Sequence, residues 1–316
     1  MDKSKIEWTD ATWNPVTGCT KVSNGCKHCY AERVWKRLAG NPHCEYFKRE
    51  FTNVKCHPDR LDQPLRWKKP RRIFVNSMSD LFHESIPFEF IASVFAIMSV
   101  TTRHTYQVLT KRPERMIEFF KWANAYPPDE FLADEKIIDH WPEQVSYKGS
   151  DNCGPLFPYK NVWLGVSVED QQAADERIPL LLQTPAAVRW LSLEPLLGPV
   201  DFFKSSDNWL KQGYKPWLNA PILTDIHWVV VGGESGPKAR PMHPEWVRTI
   251  RAQCLAADVP FFFKQWGEYR LVERGVGKGT GICKAELWPG IGDFEKVGKK
   301  QAGRVLDGQT WSEYPE

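Results

Sequence analysis

The sequence predicts an α/β protein built on a partial or complete (β/α) barrel of parallel strands. Three observations support this fold class. Short runs of β-branched and aromatic residues alternate with helical stretches along most of the chain. The runs are continuously apolar, as in strands buried on both faces of a parallel sheet. A polar segment follows nearly every run. A doubly wound open sheet is the alternative arrangement of the same units.

The alternation of strand-like and helical stretches predicts the following elements in order. Strands are predicted near 12–16, 72–75, 105–109, 161–166, 188–191, 227–231 and 260–263. Helices are predicted over 31–38, 88–100, 114–123, 171–182 and 244–257. This number of βα units suits a barrel better than an α+β sandwich.

The chain divides into a large and a small part. We expect residues 1–268 to form the barrel and 269–316 to form a small C-terminal extension or cap. A stretch near 126–160, rich in Pro, Asp and aromatic residues, predicts an insertion at the barrel mouth.

Nothing in the sequence indicates a membrane segment. The N-terminus has no apolar signal core, and the longest apolar run, near 90–100, is too short to span a bilayer. The sequence therefore predicts a cytoplasmic protein that does not associate with membranes.

The charge of the whole chain says little about its ligands. The formal net charge is only +3, although local clusters such as 68–72 are strongly basic. A solvated face is the ordinary explanation of such clusters. Of the 15 tryptophans, we expect many to lie in the core and some to line a groove or a partner surface.

A cysteine motif near the N-terminus carries the strongest chemical signal. Cys19, Cys26 and Cys29 follow the spacing CxxxxxxCxxC. Three thiolates on one loop can bind three irons of a 4Fe-4S cluster and leave the fourth iron open. Gly18 and Gly25 suit a tightly curled loop, because glycine reaches positive φ without a Cβ penalty.

The same cysteines leave two other interpretations open. A zinc site needs a fourth ligand, which Cys44, Cys56, His43 or His57 would supply. A disulfide framework is disfavoured, because eight cysteines are sparse for a chain of this length.

Polar and ionisable residues follow the predicted strands. The carboxyl ends of parallel barrel strands meet at one mouth, so we expect these residues to face the cysteine loop there. They are Asn76, Ser77, Asp80, Lys111, Ser167, Glu169, Glu194, Glu234 and Lys264. Structural roles remain the alternative for each, such as a helix cap at Asp80, Glu169 or Asp170, or a salt bridge at Lys264.

Seven segments resemble one protein family in the same order along the chain. They are GCTKVSNGCKHCYAE, VNSMSDLFHE, LTKRPERM, VWLGVSVED, LSLEPLLGPVD, VVGGESGPKARPMHPEWV and FFFKQWGE. This set is similar to the phage-type three-Cys-motif protein family, which itself resembles the radical S-adenosylmethionine (SAM) enzymes. The resemblance spans about residues 8 to 268, and the tail GRVLDGQTWSEYP also resembles the end of that family.

The resemblance implies a partial (β/α) barrel with a 4Fe-4S cluster on Cys19, Cys26 and Cys29, and with SAM as second cofactor. His28 stands where the superfamily usually has an aromatic residue against the adenine of SAM. The superfamily's Gly-Gly-Glu motif on the second strand is replaced here by residues 76–80. The candidate SAM-binding residues are therefore His28, Asn76, Ser77, Asp80, Ser167 and Glu169.

The resemblance also implies a reaction class. An electron from an external reductant would cleave SAM, and the resulting 5′-deoxyadenosyl radical would abstract hydrogen from a substrate in the mouth. Lys111, Glu194, Glu234 and Lys264 are the candidate catalytic residues, as partners of substrate anions or in proton transfer.

The substrate and partners are less defined. A nucleotide or nucleic acid is favoured, because the phage-type resemblance, the tryptophans and the basic clusters are compatible with stacking and phosphate contact. A peptide, or a partner protein itself, is the alternative substrate. The resemblance also suggests a three-Cys-motif partner protein. The alternative function is a zinc-stabilised nucleic-acid-binding module without catalysis.

Overall fold

The computed structural model describes residues 4–125, 157–203, 222–272, 282–283 and 293–316. Most of the predicted insertion near 126–160 lies outside these ranges. The strands up to the end of the predicted barrel are β1 (Ala11–Trp13), β2 (Val16–Thr17), β3 (Lys55–Cys56), β4 (Arg72–Val75), β5 (Thr105–Thr110), β6 (Val162–Ser167), β7 (Val188–Leu193), β8 (Trp228–Gly232) and β9 (Phe261–Gln265).

Five helices within the described ranges accompany these strands. They are α1 (Tyr30–Ala39), α2 (Phe88–Val100), α3 (Pro113–Asn124), α4 (Gln171–Leu182) and α5 (Pro244–Ala256). The sequence predicted α2 and α4 with these bounds. Asp170 caps α4, since its side chain accepts from the backbone N–H of Ala173 at 3.0 Å.

The main sheet is parallel throughout its described strands. Its order is β1-β4-β5-β6-β7-β8-β9, and it curls into a half-barrel flanked by helices. Neighbours in this order also follow one another along the chain, as expected of successive βα units. The prediction of a (β/α) barrel is confirmed in its partial form.

The predicted first strand, 12–16, is divided in two. β1 pairs with β4 in the main sheet, whereas β2 pairs antiparallel with β3. The break falls at Asn14 and Pro15, and a proline lacks the N–H that a continuous ladder needs. The division turns the chain away from the sheet just before the cysteine loop.

The two faces of the sheet carry different cores. Ile73, Leu191 and Val229 belong to a large apolar cluster that also includes residues of α2 to α5. Trp190 and Trp228, which alternate with them along the strands, belong to a smaller aromatic cluster on the other, concave face. Trp8, from the segment before β1, contacts Trp190 and Trp228 edge-on at 5.3 and 6.1 Å.

Tryptophan fills the concave face at one end because glycine makes room for it. Gly165 in β6 lies in register with Trp190 in β7. A Cβ at Gly165 would lie 2.6 Å from the indole of Trp190. The bulky rings occupy the amino-terminal half of the strands, so the space near the carboxyl ends stays open.

The C-terminal part has its own small sheet. β10 (Tyr269–Val272), β11 (Ile282–Cys283) and β12 (Asp293–Lys296) pair antiparallel in the order β10-β12-β11. The short helix α6 (Lys299–Ala302) follows.

The chain then returns to the barrel and covers the outer edge of β9. The backbone N–H of Phe263 donates to Trp311 O at 3.2 Å, and the N–H of Glu313 donates to Phe261 O at 3.3 Å. Tyr314 stacks on Trp228 with ring centres 5.3 Å apart. The end of the tail therefore hydrogen-bonds to the outer edge of β9. The sequence had predicted a C-terminal extension or cap without placing it on this edge.

Among the described helices, none combines the length and apolar character needed to cross a membrane.

His57 is a buried histidine beside β2. Its side chain is 2% exposed, and its Nε2 lies 2.7 Å from Thr17 Oγ1. Burial lowers the pKa of His57 to about 4, with smaller contributions from Arg49 and Lys55. The folded protein therefore keeps this imidazole neutral at pH values where an unfolded chain would protonate it.

Acid should destabilise the fold through His57. Between pH 6.5 and about 4 the unfolded chain binds a proton here that the folded chain does not. The free energy of unfolding should therefore fall with pH, by up to about 1.4 kcal/mol per pH unit from this group. Chemical denaturation at a series of pH values should show a shallower acid loss for His57→Gln than for the wild type.

The exposed His43 provides the matched control. His43→Gln should follow the wild-type pH dependence. If the free energy of unfolding falls equally with acid pH in His57→Gln and in the wild type, His57 does not cause the acid destabilisation.

Candidate functional site

A cavity of about 470 Å³ opens at the carboxyl ends of the main strands. All three motif cysteines line it. The other predicted site residues in its wall are His28, Asn76, Ser77, Asp80, Lys111, Ser167, Glu194, Glu234 and Lys264. Glu169 is the predicted site residue that does not line it. The structure thus brings the cysteine loop and the strand ends together.

Side-chain alternation explains which residues enter this cavity. Trp163 in β6 and Trp190 in β7 face the concave side, and Ser167 and Ser192 follow them at even spacing. The same alternation leads from Phe262 in β9 to Lys264. The mouth of the half-barrel is therefore polar directly above a floor of aromatic rings.

The cysteine loop begins with a turn that requires glycine. Gly18 has φ +92°, and a Cβ there would lie 2.6 Å from Asn53 O. Backbone bonds fix the loop on both sides, from Gly18 N to Met78 O at 3.1 Å and from Cys19 N to Phe51 O at 2.9 Å. The prediction for Gly18 is confirmed.

Gly25 is needed for a different reason from the one predicted. It does not have a positive φ. A Cβ at Gly25 would lie 2.3 Å from Glu169 Oε1, so glycine allows the loop to approach this carboxylate closely. The loop is shaped here by a buried charge rather than by a left-handed turn.

Glu169 anchors the loop from below. It is 1% exposed and accepts from Ser23 Oγ at 2.8 Å and from Arg177 Nη1 at 2.7 Å, while Lys111 Nζ lies 3.4 Å away. Burial acts to raise the pKa of Glu169, but Lys111 and Arg177 outweigh it and hold that pKa below its usual range. Its position fits a loop anchor rather than a SAM ligand.

Arg112 anchors the loop at its first cysteine. Its side chain is 5% exposed, and Nη1 donates to Cys19 Sγ at 3.6 Å. Nη2 donates to Thr20 O at 3.1 Å and to Thr20 Oγ1 at 2.8 Å. Asp80 and Glu84 accept from the same guanidinium at 3.3 and 2.9 Å. Arg112 is thus engaged by the loop and its carboxylates.

Asp80 is the buried counter-charge that holds this corner. Besides Arg112, it accepts from Thr110 Oγ1 at 2.7 Å and from the backbone N–H groups of Phe82 and Lys111, both at 3.0 Å. It does not cap α2, which begins after Pro87. Its oxygens are committed to β5 and the loop that follows, although the residue lies in the cavity wall.

Glu234 anchors the loop at its far end. It accepts from Arg240 through Nε at 2.8 Å and Nη2 at 2.7 Å, and its Oε2 lies 3.2 Å from His28 Nδ1. Arg240 also donates to Asn24 O at 3.1 Å. Burial acts to raise the pKa of Glu234, but these partners hold it below its usual range.

The thiols themselves are unpaired. Cys19, Cys26 and Cys29 form no disulfide. Burial is the main cause that raises the pKa of Cys19 to about 12, with Asp80 adding to the shift and Arg112 opposing it. Burial also raises the pKa of Cys29. Metal binding at these thiols must therefore release protons.

The three thiols do not form a ready-made site for a single metal ion. Within the described part of the chain, no three His, Cys, Asp or Glu side chains are close enough to surround one metal ion. The four residues that the sequence offered as a fourth zinc ligand, Cys44, Cys56, His43 and His57, do not line the cavity that the motif cysteines line.

Two predicted residues remain directed at the cavity. Lys264 Nζ is hydrogen-bonded to Glu194, and Glu7 Oε2 lies 4.0 Å from the same nitrogen. Among the described residues, the Glu194 and Lys264 side chains form no hydrogen bond or ion pair with the cysteine loop, and they are 22% and 11% exposed. The salt bridge that the sequence offered as the structural alternative for Lys264 is present, and both of its residues line the cavity.

Asn76 contributes an unused donor to the same wall. Its backbone has φ +61°, and its Oδ1 accepts from Val16 N at 3.2 Å. The residue is 3% exposed, and among the residues that the structure describes its Nδ2 has no hydrogen-bond partner. Ser77 is less available, because its hydroxyl donates to Asn14 Oδ1 at 3.1 Å.

The sequence missed the residues that secure the loop from a distance. Arg177 is paired with Glu169, and Arg240 is paired with Glu234. Within the loop, the Thr20 hydroxyl accepts from Arg112 and the Ser23 hydroxyl donates to Glu169. Arginine, serine and threonine are common at many positions in a protein, so the sequence alone gave no signal for these contacts.

The fold and site define an α/β half-barrel whose mouth is bordered by a three-cysteine loop. The chain belongs to a family described as "Protein of unknown function (DUF5131)", whose profile matches residues 3–315. Neither curated proteins nor solved structures yielded a match. The comparisons thus define a family but not an activity, and the resemblance to radical SAM enzymes and to phage proteins stays a prediction.

Glu169→Gln should destabilise the protein by about 3–5 kcal/mol, because it leaves the buried Arg177 charge without its partner. Urea denaturation measures this change. The same substitution should speed the reaction of native-state thiols with a disulfide reagent, since the loop loses its Ser23 contact.

Glu118→Gln is the matched control. It breaks an exposed ion pair with Arg115, whose carboxylate side is 61% exposed. Its effect should stay within about 0.5 kcal/mol. Equal stability losses for the two variants would show that Glu169 does not anchor the loop.

Proposed function

We propose that the protein is a radical SAM-type enzyme. Cys19, Cys26 and Cys29 would hold a 4Fe-4S cluster, and the adjoining cavity would bind SAM and a substrate. The observation that carries the proposal is that three unpaired thiols, on a loop with buried ionic anchors, line one cavity at the strand ends. When bound, the cluster would supply the electron that cleaves SAM.

The polar mouth favours the enzyme over the zinc-stabilised binding module. A zinc site that only stabilises the fold would leave the cavity at the strand ends without a role. The Glu194–Lys264 pair in its wall would be unexplained as well.

Arg112 would stabilise the ligand form of Cys19. A thiolate buried beside Asp80 is unfavourable, as the raised pKa of Cys19 shows. The guanidinium at 3.6 Å supplies a charge-assisted hydrogen bond to the sulfur. Hydrogen bonds to cluster sulfurs are among the factors that set reduction potentials.

Asn76 and His28 would orient SAM. The buried Nδ2 of Asn76 has no acceptor, and the carboxylate of SAM has oxygens to offer it. The His28 ring lies in the cavity wall with its Nδ1 directed to Glu234, which fixes the plane of the imidazole.

Glu194 and Lys264 would act on the substrate. They lie on neighbouring parts of the concave face and are hydrogen-bonded to each other. An ammonium paired with a carboxylate can hold a proton for transfer or bind an anionic group. Their freedom from the loop distinguishes them from Glu169 and Glu234.

Anaerobic reconstitution with iron and sulfide should give a brown protein that releases 5′-deoxyadenosine from SAM after reduction with dithionite. Cys26→Ala should lose both the visible absorption of the cluster and the product. Chromatography of the reaction mixture and an absorption spectrum measure the two effects.

Cys44→Ala is the control, because Cys44 is an unpaired cysteine outside the cavity wall. It should retain cluster and product. A wild-type protein that takes up no cluster and keeps one zinc per chain would overturn the proposal in favour of the binding module.

Asn76→Asp should weaken SAM binding to the reconstituted protein by about tenfold, the loss expected of one hydrogen bond to a charged group. Aspartate tolerates the positive φ and keeps the oxygen that Val16 N requires, but it lacks the donor. Isothermal titration measures affinity, and an unchanged cluster spectrum confirms an intact loop. Unaltered SAM affinity would remove Asn76 from the SAM site.

A further inference from the structure

A second cavity, of about 380 Å³, lies beside the first and is lined mainly by cations. Its wall consists of Lys264, Lys299, Lys300 and Arg304, together with Glu7, Gln265 and Gly303. Lys264 and Lys299 line the larger cavity as well, so the two cavities share a wall. A ligand in the larger cavity can therefore extend into a strongly basic recess.

The charges of this recess are only partly neutralised. Lys299 Nζ lies 2.7 Å from Glu7 Oε1, and Lys264 is paired with Glu194. Lys300 and Arg304 have no carboxylate partner within the residues that the structure describes. Positive charge is therefore left for an anionic ligand.

Arg304 is held in place yet keeps an unused donor. Its Nη2 donates to Trp311 O at 3.1 Å and to Ser312 Oγ at 2.7 Å, and its guanidinium carbon lies 4.9 Å from the ring centre of Phe262. Its Nε is buried and has no acceptor within the described part of the chain. A buried N–H without a partner is costly, so this group would gain from an oxygen acceptor.

We propose that Lys264, Lys299, Lys300 and Arg304 form a subsite for a phosphate group of the substrate. The inference rests on the proposed function, because it takes the larger cavity as the place of reaction. Phosphate carries a high charge and accepts hydrogen bonds on several oxygens, which suits ammonium and guanidinium donors from several directions.

The larger cavity indicates what the phosphate is attached to. Tyr30 lines that cavity and is 54% exposed, so its ring is accessible to a planar group. A base stacked on an aromatic ring with its phosphate in a basic groove is the usual mode of nucleotide binding by sequence-tolerant proteins. The substrate class is thus a nucleotide phosphate, either free or within a polynucleotide.

The test uses the full chain without a cluster and three probes: thymidine, thymidine 5′-monophosphate and a short oligothymidylate. Isothermal titration at low salt should show tighter binding of a phosphate-bearing probe than of thymidine. Lys300→Gln should weaken that binding by about tenfold and leave thymidine unchanged. Lys300 is exposed and unpaired, so the substitution should not impair folding.

Lys69→Gln is the control. It removes another exposed charge, just before β4, at the end of the sheet away from the cavities. If Lys300→Gln weakens binding of the monophosphate but Lys69→Gln does not, the substrate is a free nucleotide. If Lys300→Gln weakens binding of the oligothymidylate and leaves the monophosphate unchanged, the substrate is a polynucleotide. Phosphate probes that bind no better than thymidine, or equal losses in both variants, would overturn the subsite.

The same samples separate this inference from the proposed function. Wild-type protein that cleaves SAM but shows no effect of Lys300→Gln would reject the subsite and leave the enzyme. Phosphate binding that depends on Lys300 in a protein that takes up no cluster would leave the subsite and reject the enzyme.

Discussion

The arrangement at the barrel mouth depends on buried ionic contacts between the cysteine loop and the strand ends. The loop has little regular structure of its own, so its conformation is set by Arg112, Glu169 and the Glu234–Arg240 pair. Each of these binds a different part of the loop. Removal of one charge would leave its partner buried and uncompensated, so a change in any of these contacts should lower the stability of the fold as well as disturb the loop.

These contacts divide the polar residues of the mouth into two groups. Asp80, Glu169 and Glu234 have their oxygens occupied by arginines, hydroxyls and backbone N–H groups. Among the described residues, the Glu194 and Lys264 side chains are hydrogen-bonded to each other, and Glu7 Oε2 lies 4.0 Å from Lys264 Nζ. A polar strand end is therefore not by itself a sign of chemistry, and hydrogen-bond occupancy separates loop anchors from groups that can meet a ligand.

The sequence predicted β4 to β9 well because these strands are mostly apolar runs, whereas the predicted first strand is divided at Pro15. It predicted the helices because their bounds coincide with residues such as Pro87 and Asp170. It also placed the cysteines and strand ends at one mouth, since parallel strands share a carboxyl edge. It could not distinguish anchors from ligands. Ser23 and Glu169 are 146 residues apart, and no local pattern records such a pairing.

The return of residues 311–314 to the outer edge of β9 has a consequence for how the protein is made. Until that segment has been synthesised, β9 presents unpaired N–H and C=O groups, including those of Phe261 and Phe263. An open, apolar strand edge is a template for pairing with other chains. Between translation of β9 and arrival of the tail, the nascent chain therefore carries an open strand edge that can pair with other chains.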